Sequence, residues 1–91
     1  MSYSLVRTFT AGVHFGKVIF HVNKQVVLED ARRIWRWRGA NTLSELSLRG
    51  ADQEWTRISE PVFQIVLTEA IEIIPCTDIA AENLKVSRWE D

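Results

Sequence analysis

From Val62 to Ile74 the chain places seven β-branched residues in thirteen positions, Val62, Ile65, Val66, Thr68, Ile71, Ile73 and Ile74, and Pro75 closes the run. Such side chains are stiff at χ1 and pack well on a pleated surface, so the segment reads as β structure. Phe63, Ile65, Leu67, Ile71 and Ile73 alternate with polar or smaller side chains at Gln64, Thr68, Ala70 and Glu72, the period of a strand with one buried face. Glu69 alone breaks the phase. A carboxylate on an apolar face must be paired, at an edge or in an interface, and Arg33 or Arg36 is the expected partner. Thirteen residues exceed a usual strand, so the run is expected to bend around Thr68-Glu69, with a tight turn between two strands as the alternative.

The rest of the chain must supply neighbours for that run. Tyr3 to Thr10 alternates well enough for a first strand, broken by Ala11-Gly12. Val13 to Val22 forms a second, with Gly16 marking a bulge or bend. Asn23-Lys24-Gln25 is a polar break of hairpin length, and Val26-Val27-Leu28 opens a third strand. Thr42 followed three residues later by Glu45 is a capping box, and Gly50 sits where a helix ends, which predicts a helix of about two turns. Trp55 to Ile58 reads as a short strand before Glu60-Pro61. Thr77 or Asp78 caps a last helix running to Leu84. The expected fold is α+β: a mostly antiparallel sheet curled into a partial barrel of the SH3-like or Sm-like sort, one short middle helix, one C-terminal helix, in a single domain over residues 1–91.

Function is sought in the stretch Ala31-Arg32-Arg33-Ile34-Trp35-Arg36-Trp37-Arg38-Gly39-Ala40, which holds four of the eleven basic residues and two of the four tryptophans. Read as a strand, it puts Arg33, Trp35 and Trp37 on one side and Arg32, Ile34, Arg36 and Arg38 on the other. Guanidinium forks and indole faces displayed together suit a phosphate, a nucleotide or an acidic partner. The candidate ligand-binding residues are thus Arg32, Arg33, Trp35, Arg36, Trp37 and Arg38. The competing reading makes a tryptophan part of the core, with arginine stems covering its rim.

Catalysis and metal binding find little support. His14 and His21, the only histidines, fall on opposite faces of a regular strand, although a bulge would change that parity, and they have no fixed carboxylate partner. Cys76 is the single cysteine, which excludes an internal disulfide and a cysteine-based zinc site and fits a reducing, cytoplasmic compartment. Glu69 and Glu72 are three apart on one strand and cannot form an acid/base pair. The four glycines match no phosphate-cradling fingerprint. The chain is therefore expected to be no enzyme, to use no cofactor and no metal, and to lack a signal peptide and a membrane span. Charge is polarised: residues 1–57 carry nine basic and five acidic side chains, residues 58–91 two and seven. That polarity suits ligand capture at one end and self-association through complementary charge, so a homo-oligomer is expected.

The strings Ala11-Gly12-Val13-His14-Phe15-Gly16, Ala31-Arg32-Arg33-Ile34-Trp35 with Trp37 and Gly39-Ala40, Thr42-Leu43-Ser44-Glu45-Leu46 and Leu67-Thr68-Glu69-Ala70-Ile71-Glu72-Ile73-Ile74-Pro75 resemble a family of small proteins of tailed bacteriophages and prophages whose function is unknown. The resemblance covers nearly the whole chain and carries no residue roles. It implies a bacterial host cytoplasm and an accessory task. On that basis the expected function is binding of an anionic, nucleotide-like small molecule or of a host protein, so as to counter a host defence. A self-associating structural or assembly module of the phage, and a nucleic-acid binder, are the alternatives, the last weakened by the overall charge of −1.

Overall fold

The computed structural model describes residues 3–37, 39, 42–53 and 56–87. The elements are β1 (Tyr3–Thr8), β2 (Val13–Val22), β3 (Gln25–Arg36), α1 (Leu43–Arg49), β4 (Arg57–Ile58), β5 (Val62–Leu67), β6 (Ala70–Pro75) and α2 (Asp78–Lys85). The six strands form one sheet in the order β4-β3-β2-β1-β6, with β5 also on β3. The long β-branched run does bend. Its first half pairs antiparallel with β3 and its second half antiparallel with β1. Because β1 and β3 both run antiparallel to β2, β5 and β6 share one sense, and the chain turns a corner at Thr68-Glu69 without folding back. The Phe9 N–H donates to the Glu69 carbonyl at 3.0 Å and the Ala70 N–H to the Lys24 carbonyl at 2.9 Å, which pins that corner.

This corner curls the sheet without closing it. No ladder joins β5 to β6 among the described residues, so the molecule is α+β with an open, mostly antiparallel sheet. The corner also resolves the phase break at Glu69, which is exposed there instead of lying on the apolar face. Its expected ion pair with Arg33 or Arg36 is absent among the described residues.

Apolar side chains gather on both faces of the sheet. On one, Tyr3, Leu5, Phe15, Ile34 and Ile58 pack under Leu46 of α1 and Ala81 and Leu84 of α2. On the other, inside the curl, lie Val6, Val26, Leu28, Ala31, Leu67 and Ala70. The helices begin as their caps dictate: the Thr42 hydroxyl accepts from Glu45 N at 3.1 Å and the Thr77 hydroxyl from Ala80 N at 3.1 Å. No helix among the described residues is long and apolar enough to cross a membrane.

Two bulges shape the β2–β3 hairpin. Between Phe15–Arg32 and Lys17–Glu29 the extra residue is on β3, where Asp30 takes φ 50° and accepts the Tyr3 hydroxyl. Gly16 faces this kink: a Cβ there would lie 3.0 Å from the Glu29 carbonyl oxygen and 3.2 Å from Ala31 Cα. Between Val18–Leu28 and Phe20–Val27 the extra residue is on β2. That second bulge reverses the side-chain parity expected for the histidines. His14 pairs with Val6 and His21 with Val26, and both valines belong to one cluster, so the two histidines share the inner face.

Candidate anion-binding surface

Beyond Asp30, β3 sends its basic residues into opposite environments. Arg32, only 3% exposed, points to the helix side. Its guanidinium has five N–H donors, and all meet main-chain carbonyls: Nε to Ser59 O (2.8 Å), Nη1 to Leu84 O (2.9 Å) and Lys85 O (2.8 Å), Nη2 to Ile58 O (3.4 Å) and Ser87 O (2.5 Å). The last carbonyls of a helix lack partners within it and carry partial negative charge; Arg32 supplies both needs for α2. Burial holds its pKa below the ordinary arginine value, with Asp30 acting in the opposite direction. Arg32 therefore leaves the set of candidate ligand contacts, since no donor remains for one.

Arg33 faces the other way and is exposed. Its main-chain N–H donates to the Ser59 hydroxyl at 2.7 Å and its carbonyl accepts from Ser59 N at 2.7 Å. The side chain is steered by His14, its partner across the β2–β3 ladder: Arg33 Nε donates to His14 Nε2 at 3.3 Å. Arginine cannot accept, so Nε2 must carry the lone pair and Nδ1 the proton. That Nδ1 is buried and has no partner among the described residues. Burial first, and the Arg33 charge second, pull the His14 pKa down to about 4, so the imidazole is a neutral acceptor at pH 7. It fixes the root of the fork and leaves the two Nη groups of Arg33 without an acceptor among the described residues.

Trp35 follows on the strand, 49% exposed, and the Arg36 guanidinium lies over its ring at 5.6 Å from the centroid. A bulge against β4 falls at this point, since Ile34 pairs with Ile58 but Arg36 with Arg57. Trp37 departs from the expected alternation. The strand ends at Arg36, and Trp37 turns back to pack against the cluster under the helices. The two indoles are thus separated, one at the surface and one against the core. Arg38 lies outside the described residues, as do Trp55 and Trp89.

The surface that remains consists of the Arg33 fork, the Trp35 ring and Arg36 above it, with neutral His14 beneath. Chemically the Arg33 fork offers charge-assisted donors to an oxyanion, and Trp35, two residues along the strand, offers a flat apolar face. Arg33, Trp35, Arg36 and His14, the described residues that form this surface, include no hydroxyl, thiol or carboxylate. No group of three or more His, Cys, Asp or Glu among the described residues is placed to hold a metal ion. Cys76 is half-buried and its thiol is pushed up to about 11 by burial, against the ordinary 9.0, so it is protonated at neutral pH.

His14 is the site residue that sequence reasoning missed. The two bulges of the hairpin lie one on each strand and cancel, so counting outward from Asn23-Lys24 in a regular ladder already places His14 opposite Arg33. The signal was present in the spacing.

A family model described as a domain of unknown function, DUF6948, matches residues 1–84. No curated protein and no solved structure matches the chain.

Proposed function

The chain belongs to the DUF6948 family, which brings no activity with it, and we propose from the site itself that this is a non-enzymatic binding protein for an anionic ligand bearing a flat ring, nucleotide-like in kind. The observation that supports this most directly is the state of Arg33, held at Nε by a buried neutral histidine while its outer nitrogens face solvent unpaired among the described residues. A fork pre-set by such a contact loses little freedom when it meets a phosphate or carboxylate. Trp35 gives a base a stacking face worth about 1–3 kcal/mol. An acidic patch on a host protein presents the same oxyanion chemistry. In the phage setting that the sequence resembles, sequestering such a ligand or covering such a protein would counter a host defence in the bacterial cytoplasm. The open curl of the sheet is, in this reading, of the SH3- and Sm-like kind, with the ligand at its rim.

Calorimetric titration with a panel of mono-, di- and cyclic nucleotides tests the proposal. Binding by the wild type is expected, weakened about 10-fold or more by Arg33→Ala and by Trp35→Ala with melting temperature nearly unchanged. Trp37→Ala is expected to do the reverse, keeping affinity and losing roughly 2–3 kcal/mol of stability, below the ~3–5 of a fully buried tryptophan. If Trp35→Ala unfolds the protein, or if no anionic ligand binds at low salt, the proposal fails. Affinity for DNA or RNA of any sequence, falling steeply with salt, would favour nucleic acid as the ligand instead.

A further inference from the structure

Two large apolar side chains stand out of the surface where the bent strand turns its corner: Phe9, 71% exposed, just after β1, and Ile71, 51% exposed, at the start of β6. Together with Lys24 from the β2–β3 turn and Glu69 from the corner, they line one hollow of about 170 Å³. The main-chain bonds from Phe9 N to Glu69 O and from Ala70 N to Lys24 O hold all three segments in register, so the group is a fixed feature of the fold. Lys24 and Glu69 border the same hollow, yet neither forms an ion pair with the other or with any described residue. Alongside, from Ile71 onward, β6 keeps one edge with no strand on it among the described residues, next to a second hollow of about 340 Å³ that runs from Ala70 to Ile73 and on to His21 and Asn23.

We propose that this patch joins two copies of the chain across a two-fold axis, with Lys24 of each copy meeting Glu69 of the other and Phe9 and Ile71 of both covered between them. The argument is one of complementarity. A two-fold contact uses the same surface twice, so it must satisfy itself. This patch carries one cation and one anion, both without partners in the described structure, around an apolar centre, and rotation by half a turn brings each charge to its opposite. A partner of a single charge sign would set like charge against either Lys24 or Glu69 and desolvate the other unpaired, which disfavours it. The free edge of β6 beside the patch is the kind of unguarded main chain that a second copy would also cover.

Native mass spectrometry and sedimentation across roughly 1 µM to 1 mM protein test this. A dimer is expected. Lys24→Glu alone and Glu69→Lys alone should each weaken it by about tenfold or more, through like charges at the seam, and the double variant carrying both should return to within about threefold of the wild type. Phe9→Ser should give a folded monomer that melts at the temperature of the wild type diluted until it dissociates, because Phe9 is exposed within one chain. The proposal is overturned if the wild type is monomeric across the range, if the double variant is as weak as the singles, or if Phe20→Ser, at an exposed aromatic of β2 that does not line the hollow, dissociates the dimer and Phe9→Ser does not. None of these variants touches Arg33 or Trp35, so nucleotide titration of the same proteins separates this outcome from that of the ligand-binding reading.

Discussion

Arg32 and Arg33 are sequence neighbours in opposite environments, one with every donor committed to the main chain and one with its fork outward. A strand's alternation predicts that they face apart, and that much was legible. Which of the two would be buried was not, because the acceptors of Arg32 lie 26 and 27 residues away at Ile58-Ser59 and 52 to 55 residues away at and just after the end of α2, and no local pattern announces them. Trp37 was misplaced for a related reason. Alternation carries a residue to a face only while the strand lasts, and β3 stops one residue earlier. His14 makes a prediction of its own. Its folded pKa of about 4 lies below the ordinary 6.5, so the unfolded chain binds a proton between those values that the folded chain refuses. Stability from this residue is complete well above pH 6.5 and declines as pH falls toward 4, on the order of 3 kcal/mol in all. Urea unfolding of the wild type between about pH 7 and pH 4.5 should show that decline, and His14→Gln should flatten it; equal slopes in the two proteins would remove His14 as the cause.

Among the elements, helices were the easiest to read, since the Thr42 and Thr77 hydroxyls each sit three residues before the N–H they accept. The bend at Thr68-Glu69 was legible from length alone. The bulges were only half legible: Gly16 pointed to the right place, but the extra residues belong to Asp30 on the facing strand and to the stretch between Val18 and Phe20. A glycine can mark the accommodation of a neighbour's kink as well as its own. Gly50 shows the same logic at a helix end. It has φ 81°, and a Cβ there would sit 2.5 Å from the Asn83 side chain, which clamps Ala51 through its amide oxygen at 2.8 Å and its amide nitrogen at 3.0 Å. This clamp joins the end of α1 to α2. Gly50→Ala should therefore cost about 1–3 kcal/mol from backbone strain, with the further loss of the clamp, whereas alanine at exposed Gly12, with no atom within 4 Å of its Cβ, should cost only the positive-φ strain. Paired thermal melts of the two variants would check the difference, and equal losses would contradict it.

For the molecule as a whole, the uneven distribution of charge was plain in the sequence, but its use depends on placement. The basic stretch splits between a buried anchor and an exposed fork, and the unpaired Lys24 and Glu69 come together only because the strand turns its corner beside the β2–β3 turn. One more consequence follows from the guanidinium that spans β3, Ile58-Ser59 and residues 84, 85 and 87. In many small proteins the last turns fray cheaply, whereas here peeling away α2 would strand a desolvated cation at the centre. The C-terminal helix should consequently not open by itself. Its amides are expected to exchange with deuterium at the same slow rate, and with the same denaturant dependence, as those of the middle of β3, so that the tail and the centre of this small protein unfold as one cooperative unit; α2 amides exchanging far faster than β3 amides would contradict this.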